Sequence, residues 1–445
     1  MRRDKVALWT AGLVFLAFWL PYDNGLRPEP LIAAGALLTW CLIERAIATA
    51  RLLPAALAIL VAAFSLAAGP TGLICIAALI AGTRPVMQVI IKRAQGLRPR
   101  RIAADSEFDA ADDQPSSDAT SAAKTGDTNK TEGTADRLSL GTKIFRYAAL
   151  LAPGVAAGTL VLIIVFADQT LATVMEATRV RTLVGPNVAW FDERTRWDSL
   201  FMLSPDGSLA RRFGVLVMLL CLLVCILQVL RKGRIPGTSR GPSVRILGIV
   251  FAALLLMMWT PTKWTHHFGV YAGLAGSLAA LAAVAVGTNG IRAPRNRSLF
   301  AAAVLFLLAM TFTGSNGWWY VSSYGVPFWD KAPMVAGKGV STLFLGLSIL
   351  TLLVALYFHL RAPYRTPSDT GRFDRFATMP LTIAAALLVL FEVASMAKGA
   401  ITQYPAYSIA KSNINSLQGN TCGLANDVLV ESNTADSLLT PYTGD

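Results

Sequence analysis

The run FGVLVMLLCLLVCILQVL, Phe213–Leu230, carries no charged side chain and is followed directly by Arg231-Lys232-Gly233-Arg234. Eighteen helical residues rise roughly 27 Å, close to the ~30 Å hydrocarbon core of a bilayer. An apolar segment of that length, stopped by a basic cluster, reads as a membrane span ending on the cytoplasmic side. Ten further apolar runs read the same way: Lys5–Leu20, Leu31–Ile43, Leu53–Ala67, Gly72–Ile91, Tyr147–Phe166, Ile246–Trp259, Val270–Val286, Ser298–Thr311, Gly339–Phe358 and Leu381–Met396. Several are short, so they must recruit flanking residues or lie against neighbouring helices. The first is preceded by Arg2, Arg3 and Lys5 as in a signal peptide, but Pro21-Tyr22-Asp23 stands where a small-residue cleavage site would be, so it is an uncleaved span. The expected fold class is an all-α polytopic membrane protein of about eleven transmembrane helices.

Composition agrees. A chain that is 54% hydrophobic and 15% charged lies outside the range of soluble domains. The net charge of +13 does not point to nucleic acid, because the basic residues sit in short clusters between apolar runs rather than in one patch with interleaved aromatics. Cys41, Cys75, Cys221 and Cys225 lie inside apolar runs and only Cys422 lies outside them, so no disulfide framework is expected.

The clusters Arg2/Arg3/Lys5, Arg45/Arg51, Lys92 to Arg101, Arg231 to Arg245, Arg292 to Arg297 and Arg361 to Arg375 recur at every second connection. All six are cytoplasmic only if the N-terminus is inside and the C-terminus outside. Residues 1–100 then form a four-helix membrane region and 101–140 a cytoplasmic linker, in which Ala103 to Arg137 is too polar to fold. Residues 141–400 form a seven-helix region with an outer loop over 167–212, and 401–445 lie outside. In the outer loop, Leu171, Val174 and Met175 recur at helical spacing, which suits either a helix lying in the interface or a covering loop.

The outward connections hold the distinctive chemistry. Eight of the ten tryptophans fall on that side, whereas an aromatic belt alone would mark both interfaces. Lys263-Trp264-Thr265-His266-His267 places two of the three histidines beside a lysine and an indole. Adjacent histidines are expected to point to different sides, and no Cys or carboxylate stands at ligand spacing, so no metal is expected. A cation and two imidazoles suit a lipid-linked phosphate, which takes charge-assisted hydrogen bonds, with Trp264 free to stack on a sugar or prenyl unit. The turn Asn24 to Pro30 is forced by Pro28 and Pro30, and Arg27 is its candidate ligand-contacting residue. Trp318-Trp319-Tyr320 is a candidate glycan-stacking platform or part of a belt. No nucleotide loop, nucleophile elbow or zincin motif is present, and no cofactor is expected. The outer carboxylates Asp23, Glu29, Asp168, Glu176, Asp192 and Glu193 could include a general base, but spacing selects none.

Five stretches in order carry a family resemblance: Asn24–Pro30, Phe166–Val174, Thr260–Gly269, Gly314–Tyr320 and Thr421–Ala425. Together they resemble the Emb family, the actinobacterial arabinosyltransferases that ethambutol inhibits, over nearly the whole chain except the linker. The resemblance implies a GT-C-like glycosyltransferase of the plasma membrane. Such an enzyme moves D-arabinofuranose from decaprenyl-phosphate arabinose to the arabinan of arabinogalactan or lipoarabinomannan, a carboxylate deprotonating the acceptor as the polyprenyl phosphate departs. Trp264 and His266 resemble the pair lining the donor and inhibitor pocket; Gly25 and Gln169 resemble positions near it. A dimer with a related subunit and an acyl carrier protein on the cytoplasmic side are implied partners. Family members are longer: their catalytic aspartate pair lies in a large outer loop expected to precede this chain, and 401–445 is expected to start a C-terminal domain that continues beyond it. A gene fragment, split gene or misplaced start codon would each give such a chain. Two other classes remain open: a non-catalytic glycan-binding or accessory subunit, and a transporter or lipid-carrier translocase, for which Glu392 in the last run is the clearest mid-span charge.

Overall fold

The computed structural model describes residues 5–25, 27–97, 139–287, 293–318, 323–361, 379–404, 406–426 and 428–439. The linker expected over 101–140, apart from its last two residues, lies outside these, as do Trp319, Tyr320 and parts of the basic clusters.

Every apolar run is a helix. In chain order they are α1 (Lys5–Tyr22), α2 (Glu29–Thr49), α3 (Leu53–Ala68), α4 (Leu73–Ala94) and α5 (Leu140–Val165). Two helices of the 167–212 loop follow, α6 (Leu171–Val184) and α7 (Arg194–Phe201). The bundle resumes with α8 (Leu209–Lys232), α9 (Arg240–Leu256), α10 (Ala272–Val286), α11 (Pro294–Thr311), α12 (Val340–Arg361) and α13 (Met379–Gln403), and α14 (Ile409–Leu417) lies beyond it. Among the described residues, nine helical segments are long and apolar enough to cross a membrane; α3 is shorter, and α11 carries Arg295 and Arg297 near its start. The fold is thus the all-α polytopic membrane class, in which each spanning helix pairs its own backbone groups within the bilayer. A short hairpin, β1 (Met334–Val335) with β2 (Lys338–Gly339), turns through Ala336 and Gly337, both at positive φ, as a two-residue hairpin turn requires.

α10 is the hub, packed against α1, α8 and α2 and buried over most of its surface. Small residues let it approach so closely. A Cβ at Gly276 would meet the Ala11 carbonyl oxygen at 2.9 Å, and one at Gly273 would meet Leu37 Cβ at 3.1 Å. By contrast α5, against α3, and α12, against α11, keep most of their apolar surface outward. Alternating helix directions gather the C-terminal ends of α1, α9 and α11 and the N-terminal ends of α2, α8 and α10 at one end of the bundle. There Tyr22 Oη donates to the Arg211 carbonyl at 2.9 Å and Leu209 N to the Ser315 carbonyl at 2.8 Å.

The amphipathic stretch of the long loop is α6, its N-terminus capped by the Thr170 hydroxyl accepting from Thr173 N. None of its residues is buried. α7 differs, since Arg196 and Leu200 are fully enclosed, and it wedges into the gathered helix ends.

Candidate lipid-phosphate site

Pro261 and the turn around it stop α9, and the chain re-enters the bundle as a 3₁₀ segment, Thr265–Tyr271, leading into α10. About three residues per turn still sets successive side chains roughly 120° apart about the axis, but guanidinium partners from other elements hold both rings in one place. The His266 and His267 rings lie 4.6 Å apart at 81°, both buried. They do not point to opposite sides; they share one cluster.

Arg196 of α7 fixes this loop. Its guanidinium is fully buried, pairs with Glu193 at 2.7 Å, and donates to Thr260 Oγ1 at 2.7 Å, the Trp264 carbonyl at 3.0 Å and His267 Nδ1 at 2.9 Å. Arginine only donates, so His267 must present a bare Nδ1. Arg27, from the turn between α1 and α2, does the same to His266: its Nη1 is hydrogen-bonded to His266 Nε2, and its guanidinium stands 5.5 Å from the centre of the Trp264 ring. Both imidazoles are therefore neutral acceptors held by guanidiniums.

Carboxylates back the cations. Glu29, in the first turn of α2 and buried, places Oε1 3.7 Å from His266 Nε2. Lys263, also buried, donates to the Met258 and Thr260 carbonyls at 2.5 and 2.8 Å and stands 3.5 Å from Glu193. Burial pulls its pKa below the usual lysine value, with the Glu193 charge opposing the shift. Asp23, at the end of α1, is buried with no hydrogen-bond partner on either oxygen among the described residues, and packs so that a Cβ at Gly269 would meet Oδ1 at 2.6 Å. Burial first, and the Glu29 charge second, push its pKa up to about 8, against the pull of Arg211. At neutral pH it is mostly a neutral acid. Deeper still, Arg211 pairs with Asp206 at 3.2 Å and donates to Thr265 Oγ1 at 2.8 Å.

Glu29, His266 and His267 have donor atoms within 4.8 Å of one another, so a carboxylate does stand beside the histidines, from a helix far away in sequence. The cluster still suits an anion better than a cation. The two imidazoles already accept from guanidiniums, and Arg27, Arg196 and Lys263 would all repel a bound metal. Trp264 remains half-exposed and Arg27 partly so, forming an open rim over the buried polar layer.

Of the residues singled out in the sequence, Arg27, Lys263, Trp264, His266 and His267 come together, and Gly25 borders them, its carbonyl accepting from Arg27 N at 2.9 Å. Gln169 does not join them; it is exposed and its amide donates to the Val165 carbonyl at 2.8 Å, back onto α5. Trp318 is buried and donates to Asn316 Oδ1 at 3.3 Å, which leaves no open stacking face on it; Trp319 and Tyr320 lie outside the described residues. Sequence reasoning missed Arg196 and Arg211 altogether and could not choose Glu29 or Glu193 among the outer carboxylates. The one signal available was an arginine pair, Arg211-Arg212, at the mouth of an apolar span, an expensive place for charge without a task.

Residues 1–361 match the family described as mycobacterial cell wall arabinan synthesis protein, and residues 393–445 match the EmbC C-terminal domain. The chain is 47% identical over 441 residues to a probable arabinosyltransferase C of Mycolicibacterium smegmatis, covering 99% of this chain and 36% of that protein. It is 45% identical over 449 residues to the probable arabinosyltransferase C of Mycobacterium tuberculosis, covering 100% of this chain and 37% of that protein. Its fold is similar to that of arabinosyltransferase EmbB from Mycobacterium smegmatis, solved by cryo-electron microscopy, with a TM-score of 0.74 and 40% identity over 100% of this chain and 35% of that one. The chain thus spans little more than a third of the length of these relatives. A helical membrane bundle that gathers a buried arginine–histidine cluster at one end, matched along its first 361 residues, belongs to the mycobacterial cell wall arabinan synthesis protein family.

Proposed function

We propose that this chain carries the donor-phosphate site of an arabinosyltransferase that transfers D-arabinofuranose from decaprenyl-phosphate arabinose to cell-wall arabinan. The observation that supports this most is the Arg27–His266–Trp264 rim, a guanidinium laid between an imidazole and an indole at one end of a membrane bundle. A lipid-linked phosphate approaching from the bilayer would meet Arg27 first, taking charge-assisted hydrogen bonds there, while Trp264 covers the first prenyl unit or the sugar. In the transfer, an acceptor hydroxyl oxygen attacks the anomeric carbon, its proton passes to a base, and the bond from that carbon to the phosphate oxygen breaks. Arg27 and the neutral His266 would then stabilise the charge that collects on the departing phosphate. No base is assigned within this chain.

The same reading puts the site end of the bundle outside the plasma membrane, with the N-terminus in the cytoplasm and the C-terminus outside, as the basic clusters require. It leaves room for a dimer with a related subunit and an acyl carrier protein on the inner side. The test is arabinan transfer from decaprenyl-phosphate arabinose in membranes carrying the wild-type chain or His266→Ala within the longer enzyme. Transfer lost with insertion intact is the expected result, and normal transfer by the variant refutes the role. The same assay on the purified chain alone separates an active enzyme from an accessory glycan-binding subunit.

One observation favours a second reading, a lipid-carrier translocase: Glu392 in α13 is fully buried with neither carboxylate oxygen hydrogen-bonded among the described residues. If that carboxyl moved protons with a substrate, Glu392→Gln would abolish transport while sparing glycosyl transfer.

A further inference from the structure

At the opposite end of the bundle from the arginine–histidine cluster, a groove of about 530 Å³ opens between the C-terminal half of α8 and the start of α11. That is within the range of small-molecule sites, ~300–1,000 Å³. Its walls are apolar along one stripe of α8, Leu220, Leu223 and Leu227, facing Leu299 and Phe300 of α11. Its polar residues all sit at one extremity: Gln228, Arg231 and Lys232 in the last turns of α8, and Asn296 in the first turn of α11. From Leu220 to Arg231 the helix rises about 16 Å, so the groove passes from hydrocarbon to charge along the helix axis.

A basic last turn complements a helix dipole with no ligand at all. Gln228 is not explained that way. Its side chain is more than nine-tenths buried, it lines the groove, and its amide nitrogen has no hydrogen-bond partner among the described residues. A buried N–H₂ without an acceptor, in a helix that is otherwise apolar, is costly unless something in the groove accepts from it.

We infer that this groove is a binding site for an anionic phospholipid of the surrounding bilayer. An acyl chain lies along Leu220, Leu223 and Leu227, the phosphodiester faces Arg231 and Lys232, and an ester or phosphate oxygen accepts from the Gln228 amide. Charge complementarity selects this occupant, because the polar extremity of the groove presents Arg231 and Lys232 where a headgroup phosphate would lie, and a peptide segment offers no long apolar tail ending in an anion. The site is independent of the donor site and rests on none of its residues.

The test is native mass spectrometry of the purified full chain released from bilayers of phosphatidylcholine with a minor fraction of phosphatidylglycerol. The wild type is expected to carry phosphatidylglycerol selectively. Replacing Arg231→Ala and Lys232→Ala should reduce that carriage about fivefold per residue, the effect of ~1 kcal/mol per basic side chain at an anionic headgroup. Leu227→Trp, at a half-exposed position, should fill the groove and displace the lipid without changing hydrodynamic size or melting temperature. Gln228→Leu, which keeps the volume and removes the donor, should weaken carriage as well, and decides the matter if the tryptophan variant does not fold. Equal carriage of both lipids, unmoved by these substitutions, would overturn the inference in favour of an unspecific annulus. No bound lipid, with a photo-crosslink from position 227 to residues 362–378, would overturn it in favour of the chain's own segment.

Discussion

Arg27 and Arg196 each hold one imidazole of the histidine pair, yet their removal should have different consequences. Arg27 lies at the open rim, so Arg27→Ala removes the proposed phosphate contact and leaves the core intact. The expected loss is about 1.5–3 kcal/mol of binding to a phosphate, roughly ten- to a hundredfold in affinity, with little change in melting temperature. Arg196 is fully buried and bonded to Glu193, Thr260, His267 and the loop carbonyls. Arg196→Leu leaves the mostly enclosed Glu193 with only Lys263 as a cation and strips Thr260, His267 and the loop carbonyls of their donor, at a cost of about 3–5 kcal/mol, visible as a lower melting temperature in detergent. Asp23 makes a pH prediction with a definite sign. Its folded pKa of about 8 lies above its ordinary value of 3.8, so the folded chain binds the extra proton between those values. Its stabilising contribution is complete below about 3.8 and is lost as pH rises to about 8. Melting temperature followed across that window should fall in the wild type and fall less in Asp23→Asn; parallel curves would contradict the assignment. Trp264, His266 and Arg27 were legible in the sequence because unusual residue types stood together in short connections. Arg196 was not, because its bonds to Trp264 and His267 span 68 and 71 positions and no local pattern announces a partner so distant.

The helices were the most legible layer. Each of the eleven runs is a helix, since apolar length alone dictates that state in lipid, and the structure mainly extends their ends, as where the run Leu381–Met396 becomes α13, Met379–Gln403. What hydropathy could not give was which helix lies at the centre. The span that ends in α10 has a lower mean hydropathy than α8, but α10 is rich in alanine and glycine and so admits three neighbours at close range. Gly276→Leu should therefore force α1 and α10 apart and cost about 1–3 kcal/mol. Gly248→Ala in α9, where a Cβ would meet nothing within 4 Å, should be neutral or stabilise by up to about 1 kcal/mol. Thermal unfolding of the two variants side by side checks the assignment of α10 as hub; equal effects would contradict it.

At the scale of the whole molecule, two independent lines meet. In the proposed topology the basic clusters at alternate connections lie in the cytoplasm, which puts outside the end of the bundle whose gathered helix ends hold the arginine–histidine cluster. A periplasmic-type reporter fused after Gln403, beyond the full length of α13, should be active; an active cytoplasmic reporter at that position would contradict the topology. The donor-phosphate assignment is tested most directly by binding of decaprenyl phosphate to the purified full chain in nanodiscs, compared among wild type, Arg27→Ala and His266→Ala. Saturable binding by the wild type, weakened tenfold or more by either substitution with melting temperature unchanged, is the result expected. Equal binding by all three would contradict the assignment.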